Sequence, residues 1–152
     1  MFSHRNIANI LSPTDLSSLA VIEFAVAHLK VEHAVVCGHT KCGGVAASLA
    51  NNKLGIMDPW LQTIRTLRAR HAGELARLGE GEQRARRLSE LNVLNSLDVL
   101  RKNSTVIEAV KGRGLQLHGV MYDLASGRLE TVDAKEGEAE AKSRLDAFDL
   151  SQ

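Results

Sequence analysis

The stretch that decides the fold is Val31-Glu32-His33-Ala34-Val35-Val36-Cys37-Gly38-His39-Thr40-Lys41-Cys42-Gly43-Gly44-Val45. Its first half holds a short apolar, β-branched run, Ala34-Val35-Val36-Cys37, of the kind found in a strand covered on both faces. Its second half is a glycine-bearing loop that opens a helix over Cys42 to Leu49, entered through Thr40-Lys41. Upstream, Ser12-Pro13-Thr14-Asp15 punctuates the chain, and Thr14 or Asp15 supplies a cap for a helix from Asp15 to Lys30. Leu16, Leu19, Ala20, Phe24, Ala27 and His28 share one face of it. Helix, buried strand, loop and helix in that order indicate an α/β domain with a parallel sheet.

Outward from this centre the pattern continues. Phe2 to Leu11 reads as a short segment with a strand-like start. Asp58-Pro59 reads as a helix start, with Asp capping and Pro at the first helical position. Trp60, Ile64, Leu67, His71 and Leu75 form its stripe, and Gly79 to Glu82 is a hinge. A helix carrying Leu88, Leu91, Asn92, Leu94, Asn95 and Leu97 runs to about Lys102, and a shorter one spans Thr105 to Lys111. Leu115 to Leu124 alternates as a strand, Ala125-Ser126-Gly127 turns, and Arg128 to Val132 pairs back as a hairpin. Residues 1–133 are expected to form the domain and 134–152 a charged carboxyl-terminal helix or tail.

Composition narrows the function. A length of 152 residues fits one domain, and 44% apolar with 24% charged residues is a globular mix, not a disordered one. A formal net charge of +1 gives no electrostatic case for nucleic acid or an anionic membrane. Aromatic residues at 3% are too sparse for a base-stacking surface. No apolar run approaches the ~18 residues that a membrane span needs. Two cysteines with no signal peptide place the chain in a reducing compartment, read as cytoplasmic.

The chemistry sits in Cys37-Gly38-His39-Thr40-Lys41-Cys42-Gly43-Gly44. In open α/β sheets ligands collect at the carboxyl ends of strands. An imidazole and a thiol three residues apart across such a turn suit a soft divalent metal, with zinc the natural choice for N and S donors. Gly43 and Gly44 let the backbone approach a ligand. A lone His-x-x-Cys is also compatible with a packed histidine and an inert cysteine. Cys37, two residues before His39 on the strand, is either a third ligand or a small core residue. A thiol-reactive protein using Cys42, or a Cys37–Cys42 disulfide, is a further reading. Elsewhere the quieter roles come first. His118 reads as a packed strand histidine, and Arg84, Arg86 and Arg87 as a helix surface or subunit contact. Tyr122 and Asp123 read as strand-end packing. Lys41 is an exposed lysine or an anion attractor, and His4 and Arg5 are cleft-lining or solvated.

The segment from Val31 to Val45 resembles the zinc segment of the β-class carbonic anhydrases. His4-Arg5-Asn6-Ile7-Ala8-Asn9, Asp58-Pro59-Trp60-Leu61, Glu90-Leu91-Asn92-Val93 and Leu117-His118-Gly119-Val120-Met121-Tyr122-Asp123 resemble further family segments in the same order, over about residues 3 to 133. The resemblance implies an α/β fold with a mainly parallel sheet flanked by helices. It implies a homodimer or higher oligomer and zinc-dependent hydration of carbon dioxide to bicarbonate. Zinc is held in the family through Cys, His and Cys, and His39 and Cys42 would be the second and third of these. An Asp-Arg pair orients the hydroxide. The first ligand and that pair belong to a Cys-x-Asp-Ser-Arg segment expected ahead of His4. Cys37 and Cys42 are the only cysteines, and no Asp precedes Asp15. The expectation is therefore a family member lacking that segment and the sheet's first strand. Zinc would be absent or substoichiometric, with no catalytic Asp-Arg pair and low or absent activity. The alternative is a non-catalytic, zinc-poor subunit that oligomerises or regulates.

Overall fold

The protein is described here by a computed structural model covering residues 1–50 and 52–146. Its organising element is a three-stranded sheet in the order β1-β2-β3. Strand β1 (His33–His39) runs parallel to β2 (Gln116–Asp123), with Val35 opposite His118 and His39 opposite Tyr122. Strand β3 (Arg128–Thr131) returns antiparallel to β2 through a turn at Gly127, whose φ of 69° suits glycine. The expected α/β class and the hairpin are both present. The other edge of β1 has no strand beside it among the described residues.

Between β1 and β2 the chain runs through helices α2 (Gly43–Leu49), α3 (Met57–Arg70), α4 (Ala72–Arg77), α5 (Glu82–Arg101) and α6 (Ser104–Arg113). Helix α1 (Leu16–Glu23) precedes β1, and α7 (Glu138–Asp146) follows the sheet. Asp15 caps α1, accepting from the amides of Ser17 and Ser18 at 3.2 and 3.3 Å. From Phe24 to His28 the helix widens into a π turn, and it ends at Lys30 with φ 52°. Of the tail expected from residue 134, residues 134–137 are irregular and Glu138–Asp146 form α7; residues 147–152 lie outside the described part.

Helix α5 is the spine, because its two halves face two cores. Leu88 and Leu91 pack with Ala8, Ile10, Cys42, Val45, Leu61 and Ile64. Val93, Leu97 and Leu100 pack with Val26, Val106, Leu115 and Met121. The sheet lies on the second half with its inner face, formed by Ala34, Val36, Gly38, Leu117, Gly119 and Met121. Contact is so close that a Cβ on Gly38 would stand 2.7 Å from Val93 Cγ2 and from Met121 Sδ.

Three expectations are corrected. Residues 1–6 form no strand; the chain instead makes a 3-10 turn at Ile7–Asn9, with Ala8 at φ 62°. Strand β1 is covered on one face only, since His33, Val35 and Cys37 are exposed while Gly38 is buried. The apolar run meant for two covered faces has nothing over its outer side. Helix α3 begins at Met57, so Asp58 and Pro59 lie inside its first turn. Asp58 there accepts from the amide of Leu54 at 3.0 Å and pairs with Arg65 at 2.6 Å, and Pro59 has no intrahelical bond to lose. The stripe of α3 and α4 lies in the core, with Leu61, Ile64, Leu67 and Leu75 all buried.

Candidate metal centre

The loop after β1 is built from the rim of the sheet. Thr40 carries the chain past the strand, its amide donating to the Tyr122 carbonyl at 3.0 Å. Its hydroxyl donates to Asp123 at 3.3 Å and accepts from the amide of Leu124 at 3.0 Å. Asp123 in turn accepts from the amide of Ala125 at 2.8 Å and from the Ser126 hydroxyl at 3.1 Å. These donors, the Ala125 amide foremost, hold its carboxyl below the usual aspartate range. Asp123 is thus more than strand-end packing, because it ties the hairpin turn to the β1 loop. Lys41, exposed, turns the chain with φ 56°, and Cys42 then stands at the head of α2.

His39 and Cys42 have separate environments. His39 is half-buried at the end of β1, and its Nδ1 lies 2.9 Å from the Thr40 carbonyl oxygen. A carbonyl only accepts, so Nδ1 carries the proton and Nε2 presents its lone pair. Metal-bound histidines are oriented in this manner. Cys42 is free and only 6% exposed, packed in the core with Ala8, Ile10 and Leu61.

Cys37 does not join them. The Cys37 residue is exposed rather than a core residue, and its thiol donates to the Gly38 carbonyl at 3.4 Å. Desolvation of the sulfur pushes its pKa up, against a hydrogen bond with the Tyr122 backbone that lowers it. Among the described residues no three His, Cys, Asp or Glu side chains gather where they could hold a metal ion. The donor chemistry of His39 and Cys42 therefore fits zinc, but their number falls short of the three protein ligands a catalytic zinc takes.

Gly44 also changes role. A Cβ there would stand 2.8 Å from the Ala8 side chain, so this glycine serves the packing of α2 on the Ile7–Asn9 turn and not a ligand. Gly43 faces open space. The turn itself is pinned by side chains that reading residue by residue passes over. Trp60 Nε1 donates to the Ile7 carbonyl at 2.9 Å, Asn92 Nδ2 to Ala8 at 2.8 Å and Ser96 Oγ to Asn9 at 3.3 Å. The available signal was a fully buried Asn92 inside a leucine stripe, where a polar residue needs a partner.

A family model described as "Carbonic anhydrase" matches residues 1–129. The crystal structure of the β-carbonic anhydrase CafA of Aspergillus fumigatus superposes with a TM-score of 0.92 at 55% identity, over 95% of this chain and 69% of that one. The chain belongs to the β-carbonic anhydrase family. A tetrameric β-carbonic anhydrase of Sordaria macrospora matches at TM-score 0.86 and 46% identity, over 90% of this chain and 70% of its own. The carbonic anhydrase of Emericella nidulans is 43% identical over 88% of this chain and 59% of its own length; that of Candida albicans is 40% identical over 92% and 50%. The chain spans about half to three-fifths of these two curated relatives.

Several of the other candidates make intrachain contacts. His4 Nε2 meets the Ser18 hydroxyl at 3.1 Å. Arg86 bonds Glu90 at 3.2 Å and also Glu130, while Arg87 bonds Glu74 at 2.5 Å and Glu90 at 3.1 Å. Arg86 and Arg87 thus knit α5 to α4 and β3. His118, expected to be packed, is half-buried on the open sheet face and meets His33. Among the described residues no helix is long and apolar enough to cross a membrane.

Proposed function

We propose that this chain carries part of a zinc site for the reversible hydration of carbon dioxide, with His39 and Cys42 as its protein ligands, and that the 152 residues alone catalyse poorly. The observation that carries this reading is the Nδ1 contact of His39 with the Thr40 carbonyl, which leaves Nε2 as a lone-pair donor on the segment that resembles the family's zinc loop. Zinc, when bound, makes a hydroxide nucleophile available near neutral pH. The chain's own part is to aim one imidazole through the Thr40 carbonyl and to seat one thiol at the head of α2. Two donors hold a metal weakly, because affinity follows ligand number and geometry.

Assembly into a homodimer or larger oligomer belongs to the same proposal. Leu16, Phe24, Leu29 and Val35 are exposed apolar side chains, and a relative in Sordaria is tetrameric. The same proposal takes 1–133 as the domain, with the chain from residue 134 added to it; there Arg144 donates to the Arg101 carbonyl at 2.9 Å and pairs with Glu136 at 2.8 Å. The test is zinc per chain by elemental analysis with stopped-flow hydration. Zinc is expected well below one per chain, with hydration at least ~100-fold slower than in the Sordaria relative. Robust hydration that His39→Ala abolishes would instead make the two-ligand site competent.

A further inference from the structure

On the open face of the sheet, away from His39 and Cys42, two histidines from different strands meet. His33 Nδ1 lies 3.1 Å from His118 Nε2, with ring centroids 5.2 Å apart and planes tilted by 46°. His33 stands opposite Gln116 and Val35 opposite His118, so the two imidazoles are diagonal neighbours across a parallel pair. The geometry points to a second metal site: His33 Nδ1 and His118 Nε2 form a two-imidazole chelate for a borderline divalent transition ion.

Three features carry this. The first is the nitrogen separation. Two nitrogens at ~2.05 Å from one ion stand about 3.3 Å apart at a tetrahedral angle and about 2.9 Å apart in cis square-planar positions, and the observed distance lies between. The second is the state of the rings. A hydrogen bond between two imidazoles requires one of them to present a bare lone pair to the other. For both to coordinate, the proton on the donating nitrogen passes to that ring's other nitrogen. The third is rigidity. Both residues lie inside paired strands, with the register running from His33 to His39, so the donors are positioned before a metal arrives. His33 is exposed and His118 half-buried. Water can therefore satisfy each ring separately, and burial does not force the contact. No third His, Cys, Asp or Glu joins the pair among the described residues, so water or a small donor completes the coordination. Imidazole donors favour nickel, copper and zinc over calcium and magnesium.

Ni2+ is the probe, titrated calorimetrically into the full chain and into His33→Gln, His118→Gln, the double variant and Cys42→Ala. Glutamine keeps a polar side chain at each position, and circular dichroism confirms that each variant is folded. One Ni2+ per chain that depends on His33 and His118 is expected in the wild type and also in Cys42→Ala, where any weaker binding at the His39–Cys42 site is removed. Each single glutamine variant should weaken binding by at least ~10-fold, because the second imidazole acts at high effective concentration. The double variant should fall little below the singles. Equal affinity in the wild type and both single variants overturns the site. So does loss of binding in Cys42→Ala alone, or the absence of saturable binding in the wild type.

Discussion

The two faces of the sheet use alternate residues of the same strands and obey different rules. On the inner face Gly38, Gly119 and Met121 are pressed onto α5, and space decides what each position accepts. On the outer face His33, Val35, Cys37, His118 and Tyr122 look away from the helices, and Val35 is 58% exposed. Every imidazole and the one thiol of β1 fall on that outer side or at its end. Stability is thus concentrated where side chains are apolar or missing, and chemistry where nothing packs. A period of two lets seven residues of β1 serve both ends.

The hardest way to strain this contrast is to empty the inner side. Leu97 is fully buried between the sheet and the second core. Leu97→Ala should cost ~2–5 kcal/mol in chemical denaturation, the range for deleting a buried leucine and leaving a cavity. Filling the inner side should also hurt. Gly38→Ala places a methyl 2.7 Å from Val93 Cγ2, and a β-branched neighbour has little freedom to withdraw. A loss of ~1–3 kcal/mol is expected from overpacking. Val35→Lys, three residues earlier and on the other face, should stay within about ±0.5 kcal/mol for the monomer. If Gly38→Ala and Val35→Lys prove equal, the faces do not differ as described. Light scattering on the Val35 variant sharpens the comparison further, since a drop in oligomer size would identify the outer face as the assembly surface.

A smaller effect should come from the link between the inner core and the loop region. Asn92 holds the Ala8 carbonyl at 2.8 Å, and the turn it pins touches α2 at Gly44. Asn92→Ala leaves that carbonyl without its donor and should cost about 1–3 kcal/mol. Because the turn supports the helix that starts after Cys42, whatever zinc the chain retains should fall with it. An Asn92→Ala protein with unchanged stability would mean that the amide contributes nothing net.

The contrast between faces also explains what the amino-acid sequence could and could not reveal. Ala34-Val35-Val36-Cys37 followed by Gly38 gave β1 away, and turn chemistry at Ala125-Ser126-Gly127 gave the hairpin away, because both signals are local. The bare outer face was illegible: an apolar run says that a strand can be covered, while coverage depends on which other elements exist. Residues 1–10 failed for the opposite reason. Phe2 to Leu11 looks strand-like locally, but donors from Trp60, Asn92 and Ser96, more than fifty residues away, impose a tight turn with Ala8 at φ 62°. At the candidate site, the choice of His39 and Cys42 rests on spacing together with the family resemblance. The bonds of His39 to the Thr40 carbonyl and of Cys37 to the Gly38 carbonyl depend on local side-chain conformation, and the meeting of His33 with His118 depends on strand register, neither of which residue spacing contains.

The mildest test addresses the rim where the two faces meet. Asp123 accepts from the Ala125 amide, the Ser126 hydroxyl and the Thr40 hydroxyl, and its pKa is lowered from the ordinary value of 3.8. A carboxyl with a depressed folded pKa contributes stability that is fully present above its unfolded pKa. That contribution is lost as pH falls through the lower, folded value. Asp123→Ala should therefore melt below the wild type at neutral pH, by a small margin because the side chain reaches solvent. The gap should narrow as pH drops below about 4, where the wild-type carboxylate begins to take up protons as well. Thermal melts of both proteins at several pH values between neutral and acid measure this directly. A gap that stays constant into acid would show that the carboxylate's charge is irrelevant and that only the shape of the turn matters. A gap that widens would mean that the protonated acid binds the turn better than the ion, opposite to the donors seen around it. Since Thr40 joins this carboxylate to the His39 loop, proton uptake at Asp123 should also loosen the carbonyl that orients the imidazole. Slower amide exchange at Thr40 and Leu124 in the wild type than in the variant, lost in acid together with the melting difference, would tie the rim to the metal centre.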